Sequence, residues 1–268
     1  SLLPIVVTGF LEVLFVICFL YVVRHWEIEK MKSQFVSIAS HQLKTPITAL
    51  NWMVEVLADD KTVKARVGLR AKVKDLKEIA QNMRELVGSL LNVSRVEAGR
   101  IAVCTQMSDV GALAAAKVKE VAQLAKKKEQ TIALHSQPNL PAISVDAALV
   151  GEIYKNLLTN AIKYTPKDGK IEVRIIRKNS EILSSVTDTG YGIPKDEQGR
   201  VFQKFYRGSN IIQLEHDGTG LGLYLVKEIV KISGGRIWFT SAEGKGTTFH
   251  FTLPVAGSKP KEGEMSIT

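Results

Sequence analysis

Apolar residues recur at alternating spacings of three and four through most of residues 35–97, a pattern typical of long amphipathic helices. The first helix carries its apolar seam across Pro46, which is expected to kink the helix rather than end it. After a break at 58–61, a second helix is predicted from about Val63 to Glu97. A hairpin of two such helices cannot cover both apolar faces alone, so two copies are predicted to pair as a four-helix bundle through residues 26–97.

His41 is expected on the outside of the first helix. With Phe35, Ala39 and Leu43 on the apolar seam, an advance of about 100° per residue puts His41 and Thr45 together on the opposite face. An exposed imidazole is available for chemistry. A surface histidine on an ordinary amphipathic helix would show the same pattern, so the motifs further along the chain have to decide.

Composition and charge exclude little by themselves. The 268 residues carry a formal net charge of +9, which suits nucleic acid, anionic lipid or a polyphosphate ligand equally well. The Lys and Arg residues are spread along the chain without a basic stripe interleaved with aromatics, so direct nucleic-acid binding is not expected. Two cysteines, Cys18 and Cys104, are too few for a disulfide framework or a metal cluster and indicate reduced thiols.

Residues 5–23 are almost wholly apolar, and about 19 residues suffice to cross a hydrocarbon core of roughly 30 Å. A transmembrane helix is predicted rather than a signal peptide, since no basic segment or small-residue cleavage site flanks the stretch. Arg24, Lys30 and Lys32 then put the C-terminal part on the cytoplasmic side of a bacterial-type cell membrane. Glu12 is either a functional intramembrane carboxylate or a sign that the span is slightly misplaced.

Beyond Ile101, short β-type runs alternate with helices, which predicts an α+β sandwich with helices on one face of a mixed sheet. Strands are predicted at 171–177, 183–188, 236–241 and 247–253, and helices at 109–128, 146–163 and 221–233. The chain is thus divided into a transmembrane helix (1–25), a dimerisation hairpin (26–100), a second domain (101–256) and a polar, disordered tail (257–268). Because the sequence starts at Ser1 rather than Met, a sensory part upstream is also expected.

Four short motifs in the second domain point together to a nucleotide site, although each is weak alone. In the first, NLLTNAIKYTP, Asn156 and Asn160 lie one helical turn apart. The side-chain amide of Asn160 can give Mg²⁺ an oxygen ligand beside phosphates without adding negative charge. Lys163 can then reach a phosphate, and Tyr164 can pack against the nucleotide. Asparagines that only hydrogen-bond within a helix are the alternative.

The second motif, DTGYGIP, starts at Asp188 at the end of an apolar strand. A buried carboxylate there can accept a hydrogen bond from an adenine amino group. Gly190 and Gly192 let the backbone approach the base closely, with Ile193 beside them. As bare letters, the motif also fits an ordinary turn.

The third motif, VFQKFYR, ends at Arg207, which can neutralise a terminal phosphate. Its aromatics are expected to anchor a mobile lid, and Phe202 and Phe205 are expected to pack rather than to bind ligand.

The fourth motif, GTGLGL, is a glycine-rich turn that leads into a helix and contains Gly218, Gly220, Leu221 and Gly222. Backbone N–H groups at such a turn and helix start suit polyphosphate oxygens. Thr247, near the last strand, is a further candidate for the base pocket.

In this order the four motifs and the segment around Thr247 resemble the N, G1, F, G2 and G3 boxes of the histidine kinases. The segment around His41 resembles their phospho-acceptor box. The resemblance covers roughly residues 30 to 256. It implies a membrane-bound sensor histidine kinase with a HisKA-type dimerisation domain and a Bergerat-type (GHKL) ATP-binding domain. MgATP would phosphorylate His41, which would pass the phosphoryl group to an aspartate on the receiver domain of a separate response regulator.

The chain departs from the family at Gln42, where the family has an acidic residue thought to act as base. Loss of a general base lowers a rate by on the order of 10² to 10⁴, so slow autophosphorylation is expected. Thr45 matches the family position associated with orienting water to dephosphorylate the regulator. A kinase is the favoured hypothesis, ahead of a phosphatase-dominant or kinase-silent sensor and of a non-enzymatic scaffold gated by nucleotide. Cis or trans transfer to His41 is left open.

Overall fold

The structure, a computed structural model, describes parts of the helical hairpin and nearly all of the second domain. The described residues are 14, 15, 18, 19, 21, 24, 43, 47, 48, 50–58, 67–209 and 219–261. The predicted site residues outside them are His41, Gln42, Thr45 and Gly218, and Pro46 and most of the predicted break at 58–61 are outside them as well.

No helix within the described residues is both long and apolar enough to span a bilayer. Of the stretch at 5–23, only residues 14, 15, 18, 19 and 21 are described, so the span stays a prediction.

The hairpin consists of a first helix, described at 43, 47, 48 and 50–58, and a second helix, α1, at Val67–Glu97. Two small apolar clusters join them: Ile47 with Val87 and Leu91, and Val54 with Val73. The predicted seams include Ile47, Val54, Val73 and Val87, and Leu91 is a contact that they did not include.

Asn51 is a buried polar residue at the contact between the two helices. Its Nδ2 donates to the carbonyl oxygen of Ile47 in its own helix (3.0 Å) and to that of Ala80 in α1 (3.3 Å). A buried amide has to satisfy its donors, so this bond favours one alignment of the two helices over others.

A second apolar face of the hairpin stays exposed within one chain. Its large side chains are Leu43, Leu50, Trp52, Met53, Val56, Leu57, Leu69 and Leu76. An apolar surface of this extent is characteristic of an interface, as the predicted pairing of two copies requires.

Helix α1 ends at Glu97 and is followed by a glycine stop. Gly99 has φ of +67°, and the N–H groups of Gly99 and Arg100 bond back to the carbonyls of Val96 and Arg95. Val96 is already part of the second domain's core. The last turn of the hairpin is therefore packed into the domain that follows it.

The second domain is a two-layer α+β sandwich, as predicted. Its elements are β1 (Gln106–Ser108), α2 (Val110–Lys127), β2 (Thr131–Ser136), β3 (Ile143–Val145), α3 (Ala147–Tyr164), β4 (Lys170–Lys178), β5 (Glu181–Asp188), a 3₁₀ turn (Gln198–Arg200), α4 (Gly222–Ile232), β6 (Ile237–Ala242) and β7 (Gly246–Pro254). The main sheet has the order β2-β4-β5-β7-β6, with β2 parallel to β4 and the other pairs antiparallel.

Three strands were missed by the sequence analysis. β1 and β3 have three residues each and pair only with one another, and β2 lies at an edge of the sheet with mostly exposed side chains. β1 and β3 are too short for a period of two to be recognised, and in β2 only Ile132 and Leu134 are partly buried.

The start of α3, the helix that carries the asparagine motif, is fixed by Asp146. Its Oδ1 accepts from the N–H groups of Ala148 (3.0 Å) and Leu149 (3.1 Å), and its Oδ2 accepts from the N–H of Cys104 (2.8 Å). One carboxylate thus caps the helix and ties the incoming chain to it.

The prediction of a disordered tail from residue 257 is wrong for 257–261. Ser258 is buried: its N–H donates to the carbonyl of Ser144 (2.7 Å) and its hydroxyl to that of Ser233 (3.1 Å). Lys261 forms a β-bridge with Val103. The polar composition misled because these residues are ordered by backbone bonds, which composition does not report.

Tyr154 joins α3 to the sheet in the middle of the core. Its side chain is fully buried, its ring meets Phe251 edge to face at 5.2 Å, and its hydroxyl lies 2.6 Å from that of Ser184 on β5. Burial raises the pKa of the Tyr154 phenol well above its usual range.

Removing only the Tyr154 hydroxyl should destabilise the domain, since the Ser184 hydroxyl would remain buried without a partner. We expect Tyr154→Phe to lower the free energy of unfolding by about 1–3 kcal/mol, measured by urea unfolding of the full chain. The double variant Tyr154→Phe/Ser184→Ala should regain much of the loss. Equal stability of Tyr154→Phe and wild type would contradict the pairing.

Candidate nucleotide-binding site

Two adjoining cavities lie where α3, the DTGYGIP loop and the start of α4 meet. The smaller, about 80 Å³, and the larger, about 540 Å³, share a wall formed by Asn160, Tyr164, Val201, Tyr206, Arg207 and Leu223. The smaller one is completed by residues predicted for the base, which are Asp188, Gly192, Ile193 and Thr247. The larger one adds residues predicted for the phosphates, which are Asn156, Lys163, Gly220 and Gly222. The motifs therefore converge on one place.

The larger cavity also reaches the hairpin. Ile79, Met83 and Leu86 of α1 form its opposite wall. The phosphate side of the site is thus open toward the helical hairpin, whereas the smaller cavity is enclosed by the second domain alone.

Asp188 is the central residue of the smaller cavity. It ends β5, is buried, and accepts at Oδ1 from the N–H groups of Gly190 (2.8 Å) and Thr247 (3.1 Å). Among the described residues, nothing donates to its Oδ2. Burial raises the pKa of the Asp188 carboxyl to about 6, against the two N–H bonds, which lower it.

Ser241 is a site residue that the sequence analysis missed. Its hydroxyl lies 2.8 Å from that of Thr247 and accepts from the N–H of Ile193 (2.9 Å). It therefore joins the DTGYGIP loop to the start of β7. A single serine in a β6 strand gives no motif, so only the cross-strand register, Ser241 opposite Thr247, could have indicated it.

Gly190 and Gly192 are required by close backbone contacts. A Cβ at Gly190 would lie 2.3 Å from the carbonyl oxygen of Tyr164, and one at Gly192 would lie 2.1 Å from that of Ala242. Gly192 also has φ of +67°. The loop can therefore fold tightly between α3 and β6, as the glycine pattern indicated.

The two asparagines of α3 have different surroundings. The Nδ2 of Asn156 donates to the carboxylate of Glu152 (2.8 Å) and to its backbone carbonyl (3.0 Å), and its Oδ1 faces the first residue of α4, Gly222. Asn156 therefore holds α3 against α4 as well as lining the larger cavity. Its predicted contact with the nucleotide stays a prediction.

Asn160 has no hydrogen-bond partner among the described residues and lies between the two cavities. No group of three or more His, Cys, Asp or Glu side chains that could hold a metal occurs in the described part of the chain. A magnesium ion would thus take the amide oxygen of Asn160 together with phosphate and water oxygens, and an uncommitted amide at the junction of the cavities fits that chemistry.

Cationic side chains border the larger cavity. Lys163 lies with its Nζ 5.9 Å from the ring centroid of Tyr164, and Arg207 is half-buried at the boundary of both cavities. The structure therefore brings together the cations that the motifs predicted for phosphate binding.

Phe202 packs, as predicted, against Phe239 (5.8 Å between ring centroids) and Phe249 (6.3 Å). For Phe205 the prediction is wrong, since its side chain is 63% exposed. Its backbone has φ of +60° and lies against Gly220, where a Cβ would come within 2.8 Å of the Phe205 Cα. The backbone of residue 205 fills the contact, and the ring points away.

The described part of the glycine-rich turn leads directly into α4. Gly220 has φ of +67°, Leu221 is buried, and the N–H of Leu221 bonds to the hydroxyl of Thr219 (3.2 Å). Gly222 is the first residue of α4 and borders the larger cavity. The N–H groups at this helix start suit a phosphate ligand.

A polar contact joins the end of α1 to the site. The Glu97 carboxylate accepts from the Tyr224 hydroxyl (3.0 Å) and forms an ion pair with Lys204. The Lys204 Nζ also lies 5.1 Å from the centroid of the Tyr224 ring. This contact links the last turn of α1 to the VFQKFYR segment and to α4.

Comparison with known proteins agrees with this geometry. Residues 31–99 match the His Kinase A (phospho-acceptor) domain, and residues 145–257 match the histidine kinase-, DNA gyrase B-, and HSP90-like ATPase domain. The first match covers the hairpin, and the second covers most of the sheet, the lining of the smaller cavity and the second-domain side of the larger one. A phospho-acceptor hairpin followed by this ATPase domain defines the histidine kinases, and the chain belongs to that family.

Individual relatives are similar over most of this chain. The circadian input-output histidine kinase CikA of Synechococcus elongatus is 32% identical over 225 residues, which are 83% of this chain and 30% of CikA. Sensor histidine kinase WalK of Bacillus subtilis is 33% identical over 239 residues, which are 85% of this chain and 38% of WalK. Full-length ShkA, solved in complex with AMPPNP, has a TM-score of 0.70 at 25% identity, covering 85% of this chain and 47% of ShkA. The chain thus spans only about a third of the length of these curated relatives.

The raised pKa of Asp188 predicts that adenine-nucleotide affinity falls in mild acid. Because Oδ1 already accepts two N–H bonds, a proton taken up near pH 6 goes to Oδ2, which then opposes the adenine amino group with a donor. We expect ADP affinity to fall about fourfold between about pH 7.5 and about pH 5.5, measured by calorimetry. Asp188→Asn should bind weakly at both values.

Unfolding of the nucleotide-free protein provides the control. A carboxyl whose pKa is higher in the folded state binds more protons there, so its contribution makes the fold more stable as pH falls from about 6 toward 3.8. Affinity and this part of the stability should therefore change in opposite directions. A constant ADP affinity across the range would contradict the assignment of Oδ2 to the base.

Proposed function

We propose that this protein transfers the γ-phosphoryl group of ATP to His41 and then to an aspartate of a response regulator. The observation that carries the proposal is that both domains line the larger cavity, with Asn160 and Arg207 on one side and α1 of the hairpin on the other. His41 lies in the sequence predicted for the first helix of that same hairpin. The phosphate end of a bound nucleotide would accordingly point toward the domain that carries the acceptor.

In the mechanism, the second domain binds and orients the triphosphate. Asp188 accepts from the adenine amino group at Oδ2, and the N–H groups at the start of α4 bind phosphate oxygens. Asn160 would hold a magnesium ion, which when bound neutralises phosphate charge. Lys163 and Arg207 stabilise the negative charge on the transferred group.

The His41 imidazole acts as nucleophile in this scheme. A lone pair of its unprotonated nitrogen forms the bond to the γ-phosphorus while the bond to the bridging β,γ-oxygen breaks, and ADP leaves with that oxygen. In the second step, the carboxylate of a regulator aspartate attacks the phosphohistidine and the imidazole is released. Positioning and charge neutralisation supply most of the catalysis in such a transfer.

The proposal includes assembly and location. The exposed apolar face of the hairpin supports a homodimer in which two hairpins form a four-helix bundle. The apolar sequence at 5–23 and the basic residues after it support a membrane anchor with the catalytic part in the cytoplasm. The phospho-acceptor domain match supports a response regulator receiver domain as the partner.

Labelling with γ-labelled ATP and Mg²⁺ tests the first step. We expect the chain to acquire a label that is lost in acid and stable in base, as a phosphorus–nitrogen bond requires, and His41→Ala to lose it. His135→Ala is the matched control, because His135 is exposed on the edge strand β2 and far from the hairpin in sequence. A label that survives in His41→Ala would disprove that His41 is the phosphoryl acceptor.

A phosphatase-dominant sensor is the second candidate function, and Gln42 favours it because an amide cannot take a proton. Restoring the acid in Gln42→Glu should speed labelling of His41 by at least about tenfold if a general base limits the rate. Thr45→Ala should slow removal of phosphate from a phosphorylated receiver domain without changing the labelling rate. An unchanged rate of His41 labelling in Gln42→Glu would refute the claim that the missing general base limits this rate.

A further inference from the structure

The residues on either side of Arg207 are fixed by one carboxylate that no motif includes. Glu197 accepts at Oε2 from the hydroxyl of Tyr206 (2.5 Å) and from the N–H of Ser209 (3.0 Å). Its Oε1 accepts from the Ser209 hydroxyl. Tyr206 immediately precedes Arg207, and Ser209 follows two residues after it. Both ends of the short segment that carries the arginine are therefore bonded to the same side chain.

Further contacts hold this arrangement in place. The guanidinium of Arg200 lies 4.8 Å from the ring centroid of Tyr206, so the ring is held from a second side. The bonds from Ser209 and Tyr206 lower the pKa of the Glu197 carboxyl, with a smaller contribution from the Arg200 charge. Glu197 is thus ionised at neutral pH and accepts charge-assisted hydrogen bonds.

Glu197 is also connected to the base pocket. The next residue, Gln198, donates from Nε2 to the carbonyl oxygens of Ile193 (3.1 Å) and Ser241 (3.2 Å). Ser241 in turn bonds to Thr247, whose N–H bonds to Asp188. Hydrogen bonds, joined by the backbone at Ser241, Thr247 and residues 197–198, therefore connect the Asp188 carboxylate to the segment around Arg207.

We propose that Glu197 is a positioning residue for Arg207, and that its carboxylate holds the Arg207 guanidinium where it meets the terminal phosphate of a bound nucleoside triphosphate. The inference rests on the nucleotide binding proposed above and extends it. It predicts that Glu197 matters for a ligand with a γ-phosphate and not for one without it. A residue that only stabilised the fold would affect both ligands equally.

Calorimetry of the full chain with Mg²⁺ and either ADP or AMPPNP separates these cases. In Glu197→Gln the side chain keeps its size but loses its charge, and an NH2 group that cannot accept replaces one of the two oxygens that bind Tyr206 and Ser209. We expect AMPPNP affinity to fall about tenfold and ADP affinity to change less than about twofold. Asp196→Asn is the matched control: Asp196 is exposed, adjacent and acidic, and its variant should bind both ligands as wild type does.

A double-variant cycle tests whether Glu197 acts through Arg207. Arg207→Ala should also lose AMPPNP affinity selectively, and adding Glu197→Gln to it should produce no further loss. Equal losses for ADP and AMPPNP, an unchanged ratio in Glu197→Gln, or additive losses in the double variant would each overturn the inference.

The calorimetry and the labelling of His41 together separate the role of Glu197 from the kinase function. If wild type prefers AMPPNP and Glu197→Gln loses the preference while His41 takes no label from ATP, Glu197 keeps its role and the proposed transfer fails. If wild type does not distinguish AMPPNP from ADP, Arg207 makes no contact with a γ-phosphate and the inference is overturned.

Discussion

One buried oxygen atom, Oδ1 of Asp188, keeps the base pocket together. It accepts N–H bonds from Gly190 in the loop after β5 and from Thr247 at the start of β7, so two chain segments far apart in sequence meet at a single acceptor. Because buried N–H groups need partners, neither segment can move away without leaving a donor unsatisfied. The other oxygen of the same side chain is left to face the cavity. Oδ1 of Asp188 therefore joins the two segments, and Oδ2 is available to a ligand in the cavity.

The second domain and the hairpin meet through more than a linker. Val96 of α1 packs into the second domain's core, and Glu97 binds Tyr224 and Lys204 beside the site. The same helix forms one wall of the larger cavity through Ile79, Met83 and Leu86. The nucleotide site is therefore assembled from two domains on its phosphate side and from one domain on its base side.

The sequence predicted well what depends on periodicity and on local chemistry. The apolar seams located the contacts of Ile47 and Val54 with α1, and the DTGYGIP letters located the buried Asp188. These features are visible in sequence because each arises from residues close together along the chain.

Features that depend on distant residues were not predicted. Ser241 and Glu197 are ordinary polar residues until the register of β6 with β7 and the turn at 198–200 bring them to the site. Phe205 was predicted to pack because aromatic residues usually do, but its backbone makes the contact with Gly220 and its side chain is exposed. The order at 257–261 comes from backbone bonds to Ser144 and Val103, which residue type does not encode.

The wall that α1 contributes to the larger cavity has a thermodynamic consequence. A ligand that touches α1 in one arrangement of the hairpin and not in another binds the two arrangements with different free energies. Linkage then requires reciprocity: any shift of the hairpin that weakens nucleotide binding by some factor is itself opposed by bound nucleotide by the same factor. Since Ile79, Met83 and Leu86 belong to a helix of the hairpin, nucleotide binding and the arrangement of the hairpin would then be parts of one coupled equilibrium.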